Sequence, residues 1–176
     1  MDKNKKIRYQ KTIAFLKKHM PPPCKILDLG TANEFSKIMT QNGYDVINTN
    51  GENLDIDFDN IINQQVDLVT AFEIFEHMLA PFNILRSIKA PKLIASVPLK
   101  LWFANAYWNE NDEWDKHYHE FEPKQFDFLM QQTDWKILNF EKWHAPYQLK
   151  FGIRPLLRSF TNRYYIVHCQ NMSLKC

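Results

Sequence analysis

The stretch that most constrains the fold is residues 25–35, KILDLGTANEF, an apolar run that turns polar at a glycine. Lys25–Leu29 has the length and character of a buried strand, and Phe35–Asn42 reads as an amphipathic helix. A strand followed by a glycine-containing turn and a helix is how open α/β sheets build a nucleotide site at the carboxyl ends of their strands. Gly30 lets the backbone approach a ligand closely because it has no Cβ, and Asp28 stands at the end of the strand.

Further segments repeat this alternation of strand and helix along the chain. Strands are predicted at Asp45–Thr49, Val66–Ala71, Lys92–Val97, Trp135–Trp143 and Tyr164–Cys169. Helices are predicted at Lys5–Met20, Glu76–Ile88 and Pro123–Gln132, and a short turn or helix at Asn60–Gln65. Residues 146–162 are expected to form a basic surface loop. Strands separated by helices imply crossovers and a parallel sheet. The last strand is expected to be antiparallel, as in a closing hairpin.

Length and composition favour one globular domain. The chain has 176 residues, 45% of them hydrophobic, with a formal net charge of +2. A charge so near balance argues against a large nucleic-acid surface. The three cysteines have no C-x-x-C spacing, so neither a disulfide framework nor a zinc site is expected. No apolar run reaches the ~18 residues of a membrane span, and no signal-peptide core follows the charged residues 1–6, so a cytoplasmic location is expected.

Residues 28–34, DLGTANE, resemble motif I of the class I S-adenosylmethionine (SAM) dependent methyltransferases, which reads roughly D-x-G-x-G-x-G. Asp28 and Gly30 fall on the pattern. Ala32 and Glu34 stand where the second and third glycines would be. The resemblance implies that this turn binds SAM.

A second stretch, residues 66–81, closely resembles the fourth-strand motif of many small SAM methyltransferases, F-D-x-V-x-x-x-E-V-L-E-H. The likeness extends to Ser96-Val97-Pro98 at the next strand end. It implies a Rossmann-like, doubly wound, mostly parallel seven-stranded sheet with an antiparallel last strand. It also implies a single methyltransferase domain over residues 1–176, with an N-terminal helix and proline linker at 1–23. The cofactor-binding residues that follow are Asp28, Gly30, Thr31, Ala32, Asn50, Gly51, Asp55, Ile56, Ala71, Phe72 and Glu73.

Glu73 and Glu76 are three residues apart, so they share one face if the segment is helical, and His77 adjoins them. With His119 from a distant loop they make a plausible site for Mg²⁺ or another divalent ion. Ubiquinone-biosynthesis O-methyltransferases and small-RNA 3′-terminal 2′-O-methyltransferases place a metal in this way, and the E-x-x-E-H pattern here resembles theirs. A metal would lower the pKa of an acceptor hydroxyl. Without one, the general base is sought among His119, His77 and His117, because imidazole titrates near neutral pH.

Residues 99–122 are rich in Trp, Tyr, Asn and acidic side chains without clear periodicity, and they are interpreted as a lid over the site. The first functional hypothesis is a SAM-dependent methyltransferase that acts on a hydroxyl of a small molecule. The second is a non-catalytic binding or regulatory protein on the same scaffold, suggested by the glycine-poor motif I. The third is a metal-dependent RNA 2′-O-methyltransferase, which the near-neutral charge disfavours.

Overall fold

The computed structural model of the protein describes residues 3–145 and 153–174. Its strands are β1 (Lys25–Asp28), β2 (Asp45–Asn48), β3 (Leu68–Phe72), β4 (Lys92–Pro98), β5 (Trp135–His144) and β6 (Asn162–Asn171). Its helices are α1 (Lys3–His19), α2 (Glu34–Gln41), α3 (Asp59–Ile62), α4 (Pro81–Ser87), α5 (Pro123–Gln132) and α6 (Ile153–Phe160), with a 3₁₀ turn at Phe75–His77.

The strands form one sheet in the order β2-β1-β3-β4-β6-β5. The first four are parallel to one another, and β6 runs antiparallel to both of its neighbours. The prediction of a mostly parallel sheet with an antiparallel last strand is therefore confirmed. The chain moves from β1 to β2 on one side and then to β3 on the other, so the order reverses between β1 and β3. A reversal of this kind opens a crevice at the carboxyl ends of the two strands.

Helices cover both faces of the sheet because successive strand residues point to opposite sides. On one face Ile26 packs with Phe15 and Leu16 of α1 and with Met39 of α2. On the other face the neighbouring Leu27 belongs to a cluster that includes apolar residues of α3, α4 and α5. Each such fully buried side chain contributes about 1.5–3 kcal/mol through removal from water. The doubly wound arrangement is thus present.

The predicted strand count of seven is wrong, because the sheet of the described residues has six strands. The six strands that periodicity predicts are the six that form. The seventh came only from the family resemblance. Between β2 and β3 the chain instead forms a turn at residues 53–56 and the four-residue helix α3.

The predicted helix Glu76–Ile88 is also interrupted. Residues 78–80 are not helical, and α4 begins only at Pro81. The carboxylate of Asp55 accepts the backbone N–H groups of Leu79 and Ala80 at 2.9 and 2.7 Å, which satisfies them outside a helix. The predicted basic loop is partly helical, since residues 153–160 form α6. Residues 146–152 of that loop lie outside the described residues.

Candidate active site

A cleft of about 640 Å³ lies at the carboxyl ends of β1 and β3. The Gly30 turn and residues 72–77 line one side of it. Lys5, Arg8, Tyr9 and Thr12 of α1 line another, together with Tyr107, Asp115 and His117 from the 99–122 segment. Two turns far apart in sequence, after Leu29 and after Ala71, therefore share one cavity.

The end of β2 holds the Gly30 turn in place. The backbone N–H of Gly30 donates to Oγ1 of Thr49 at 2.9 Å, and Nδ2 of Asn48 donates to the Gly30 carbonyl at 3.1 Å. Gly30 has a φ of +152°, a conformation that side chains rarely adopt. A Cβ there would lie 3.4 Å from Cδ1 of Ile74 on the facing loop. The backbone conformation therefore favours glycine, and a side chain there would fill the space between the two turns.

Asp28 joins the ends of three strands. Thr70 Oγ1 donates to one carboxylate oxygen at 2.7 Å and Asn48 Nδ2 donates to the other at 3.0 Å. Burial raises the pKa of Asp28 to about 6, although both hydrogen bonds oppose the shift. Asp28 lines the cleft, and its two oxygens position the strand ends around it.

Asn33 begins α2 with a capping box that the sequence prediction missed. Its side-chain oxygen accepts the N–H groups of Phe35 and Ser36 at 2.7 and 3.2 Å, and Ser36 Oγ accepts the N–H of Asn33. Glu34, which replaces the third glycine of motif I, is the first residue of α2 and forms an ion pair with Lys5 at 3.4 Å. The signal for this cap was the Asn-x-x-Ser spacing.

Several predicted cofactor residues lie outside the cleft lining, namely Thr31, Ala32, Asn50, Gly51, Asp55, Ile56 and Ala71. Gly51 nevertheless approaches the motif I turn, since a Cβ on it would lie 3.4 Å from Cγ2 of Thr31. Glu52 folds back to accept the Asn50 N–H at 2.6 Å. Ile56 is 80% exposed and Leu79 is 66% exposed. The carboxylate of Asp55, the neighbour of Ile56, accepts the Leu79 N–H at 2.9 Å.

Glu73 directs its carboxylate into the cleft from a left-handed backbone conformation, with a φ of 57°. Ser96 Oγ donates to Oε1 at 2.9 Å, and Arg8 Nη1 donates to Oε2 at 3.2 Å. A positive φ at a residue other than glycine costs of order 1–3 kcal/mol and is concentrated at functional sites. The segment is therefore not helical at Glu73, and Glu73 and Glu76 do not share a helical face.

Glu76 is 1% exposed, and its Oε2 has no hydrogen-bond partner. Burial raises the pKa of its carboxyl well above the ordinary value, and the Glu73 carboxylate raises it further. Its other oxygen lies 3.8 Å from Nε2 of His77. The pKa of His77 is lowered, first by burial and then by the neighbouring His117.

Glu120 contacts the imidazole of His117 at Nδ1. Nδ1 of His117 lies 3.1 Å from Oε1 of Glu120, whose Oε2 lies 3.5 Å from Nη1 of Arg163. The pKa of Glu120 is lowered: burial opposes the shift, but the bonds from His117 and the Tyr107 N–H, with the charge of Arg163, outweigh it. A carboxylate on Nδ1 fixes the ring orientation and leaves Nε2 for chemistry.

Glu76, His77 and His117 place three ligand atoms within 4.8 Å of one another. The predicted ligand His119 is elsewhere: its Nε2 lies 3.3 Å from the Leu79 carbonyl and its ring stacks on Phe121. Glu73 is engaged by Arg8. The unpartnered Glu76 oxygen fits a metal, yet two imidazoles and one carboxylate suit Zn²⁺ and similar ions better than Mg²⁺, which prefers oxygen. The trio thus gives no support to the Mg²⁺ prediction.

Sequence reasoning did not single out the individual α1 residues that line the cleft, or Arg163, as site residues. The i, i+4 pairs Lys5–Tyr9 and Arg8–Thr12 were visible in the sequence. Nothing local, however, pairs Arg8 with a carboxylate 65 residues away. Arg163 opens β6, and its guanidinium reaches the Leu99 carbonyl at 2.6 Å as well as Glu120.

No family model and no curated protein matches this sequence. Solved structures do. One is the 1,6-didemethyltoxoflavin-N1-methyltransferase of Burkholderia thailandensis, solved with 1,6-didemethyltoxoflavin and S-adenosylhomocysteine (TM-score 0.66, 14% identity, covering 93% of this chain and 77% of that one). Another is a SAM-dependent methyltransferase of Archaeoglobus fulgidus (TM-score 0.58, 13% identity, covering 95% of this chain and 97% of that one). A third is a [4+2]-cyclase (TM-score 0.63, 9% identity, covering 93% of this chain and 80% of that one). The chain has the Rossmann-like fold of class I SAM-dependent methyltransferases.

Proposed function

We propose that this protein is a SAM-dependent methyltransferase that transfers a methyl group to a hydroxyl of a small molecule. The observation that carries the proposal is the single cleft shared by the Gly30 turn and the Glu73 loop at the point where the strand order reverses. Its lining includes the acidic residues Asp28, Glu73, Glu76 and Asp115. These carboxyl side chains lie beside the basic Lys5, Arg8 and Arg163, and a nearby carboxylate suits a cofactor whose reactive centre is a sulfonium cation.

The cofactor is expected to lie with its nucleoside along the Gly30 turn, where the absence of a Cβ admits close contact. Asn50 and Glu52 follow β2 at the place from which a side chain bonds the ribose hydroxyls. Ile56 and Leu79 offer apolar surface for the adenine ring. Arg8 lines the cleft and is the proposed partner of the methionine carboxylate, because Arg binds carboxylates with two parallel donors.

The proposed general base is His117. Its Nδ1 is hydrogen-bonded to Glu120, so Nε2 is the nitrogen that accepts the proton of an acceptor hydroxyl. The oxygen then attacks the methyl carbon of SAM, the C–S bond breaks, and S-adenosylhomocysteine leaves as a neutral thioether. The protein's main task is to align oxygen, methyl and sulfur. His77 and the buried Glu76 shape the wall beside the base.

A metal-dependent form of the reaction is favoured by one observation, the Glu76, His77 and His117 trio. A bound ion would be held by these three residues and would act as a Lewis acid on the acceptor hydroxyl. The ion and the free base exclude each other, because both need Nε2 of His117.

Two rivals remain distinct from this proposal. A non-catalytic SAM-fold protein is suggested by Glu34 in motif I, but Glu34 points to Lys5 and does not line the cleft. An RNA substrate is not proposed, because the net charge is only +2. Within the described residues no helix is both long and apolar enough to cross a membrane. A cytoplasmic location is part of the proposal.

Isothermal titration of SAM and S-adenosylhomocysteine into the protein tests the proposal. Saturable binding of both at one site per chain is expected. Absence of binding at millimolar ligand would refute it. Binding of both without methylation of any hydroxyl acceptor would favour the non-catalytic rival.

A further inference from the structure

A second cavity of about 500 Å³ adjoins the cleft. Residues of the 101–108 segment form one side of it, and α6 with the start of β6 forms the other. Tyr107, Arg163 and Tyr164 line both cavities. A volume of this size accommodates an ordinary small organic molecule.

The two cavities differ in the charged side chains that line them. Among the described residues that line the second cavity, Arg158 and Arg163 are basic and none is acidic. The cleft, by contrast, includes four carboxyl side chains together with the basic Lys5, Arg8 and Arg163. Arg163 is partly neutralised by Glu120 at 3.5 Å. Arg158 is exposed, and none of the described acidic side chains pairs with it. It is therefore the uncompensated cation of this cavity.

Aromatic side chains stand beside these cations. Tyr107, Trp108 and Tyr164 all line the second cavity. Trp108 is held by an edge-to-face contact with Tyr118 at 5.9 Å and by the Lys116 ammonium 5.3 Å from its ring centroid. The hydroxyl of Tyr107 donates to Asp115 at 2.8 Å. Fixed rings beside a guanidinium favour a planar ligand that carries a negative charge.

Tyr107 also connects this cavity to the proposed base. Its ring centroid lies 5.1 Å from that of His117, and its backbone N–H and C=O bond Glu120 and the His117 N–H. A ligand in the second cavity would thus have one end beside Tyr107, which lines both cavities and contacts His117.

We infer that the second cavity binds the methyl acceptor, and that this acceptor is a hydroxylated aromatic compound with an anionic group, a carboxylate or a phosphate, held by Arg158. The inference rests on the proposed function for the chemistry at the cleft, but the anion site stands on its own residues. The ring lies among Tyr107, Trp108 and Tyr164, and the hydroxyl faces the cleft.

The test titrates three probes into the protein, with and without saturating S-adenosylhomocysteine: 4-hydroxybenzoate, 4-hydroxyphenyl phosphate and neutral 4-hydroxybenzamide. At least one anion is expected to bind about tenfold more tightly than the amide, because only the anion forms a charge-assisted hydrogen bond with Arg158. Preference for the benzoate or for the phosphate identifies the group. Arg158→Gln is expected to abolish the preference while leaving S-adenosylhomocysteine binding intact.

The matched control is Lys124→Gln, which removes one positive charge from an exposed position of α5 outside both cavities. It is expected to keep the preference. Equal binding of anions and amide by the parent protein, or a preference that survives Arg158→Gln, would overturn the inference even if S-adenosylhomocysteine binds. If the parent protein prefers the anions but does not bind S-adenosylhomocysteine, the proposed function is refuted while the anion site is supported.

Discussion

Nδ1 of His117 lies 3.1 Å from Oε1 of Glu120, and the second oxygen of that carboxylate lies 3.5 Å from Nη1 of Arg163. His117 and Glu120 belong to residues 99–122, and Arg163 belongs to β6. They orient one imidazole at the edge of a cleft that is otherwise lined by strand ends and α1. In the proposed reaction this imidazole accepts the proton of the acceptor hydroxyl.

Replacing His117 with Gln is expected to lower kcat by about 10²–10⁴-fold, the usual contribution of a general base. The assay follows methyl transfer from radiolabelled SAM to an accepted hydroxyl compound. His119→Gln is the control, since His119 bonds the Leu79 carbonyl and lies outside the cleft lining. If the two variants lose activity equally, His117 is not the base.

Arg8→Ala is expected to weaken SAM and S-adenosylhomocysteine binding equally, by about tenfold, because both ligands carry the carboxylate that Arg8 is proposed to bind. Calorimetric titration measures it. Lys6→Ala is the matched control, because Lys6 is exposed on the same helix and does not line the cleft. Unchanged binding by Arg8→Ala would restrict Arg8 to its ion pair with Glu73.

Zn²⁺ is expected to bind the protein and to inhibit methyl transfer by occupying Nε2 of His117 with Glu76 and His77. Protein dialysed against EDTA is expected to keep its activity. His77→Gln should weaken Zn²⁺ binding in a calorimetric titration, whereas His144→Gln, at the exposed end of β5, should not. Activity that disappears with EDTA and returns with a divalent ion would establish the metal-dependent form instead.

Acid is expected to destabilise the fold through His168, which is 6% exposed and has an unpartnered Nε2. Burial, with Lys92 and His19 nearby, lowers the pKa of His168 from 6.5 to about 4. Between these values the unfolded chain binds the proton and the folded chain does not, so stability falls as the pH drops from 6.5 to 4. The loss amounts to up to about 3 kcal/mol.

Urea unfolding of the parent protein and of His168→Gln across this pH range measures the effect. Asp28, whose pKa is raised to about 6, has the opposite dependence, since its burial favours the protonated folded state. It is present in both proteins, so the difference between them isolates His168. Parallel pH profiles of the two proteins would contradict the assignment.

Local sequence patterns were sufficient for the strands and for the two turns that meet in the cleft. Lys25–Leu29 and Val66–Ala71 are mostly apolar runs, followed by Gly30 and, two residues on, by Glu73. Parallel strands bring such ends to one edge of the sheet. What failed depended on contacts between distant residues. Asp55 interrupts the predicted helix at Leu79, and no local pattern announces that contact.

Sequence patterns left the choice among the candidate histidines open for the same reason. His117 and His119 are two residues apart in an irregular segment, so spacing alone does not tell which one faces the site. Backbone hydrogen bonds determine which histidine faces the site. The Glu76 carbonyl accepts the N–H groups of Tyr118 and His119, while the His117 N–H donates to the Tyr107 carbonyl. The pairing of Arg8 with Glu73, and the left-handed conformation that allows it, likewise needed the folded chain.

The most direct measurement of the central claim is a titration of S-adenosylhomocysteine into Gly30→Ala and Gly43→Ala beside the parent protein. Both glycines have a positive φ, and a Cβ on either would meet an apolar atom at 3.4 Å, from Ile74 or from Pro22. Both variants should therefore lose similar stability, but Gly43 does not line the cleft. The account predicts that Gly30→Ala weakens binding at least about tenfold, or 1.4 kcal/mol, while Gly43→Ala binds as the parent does. Equal affinity in all three proteins would contradict it.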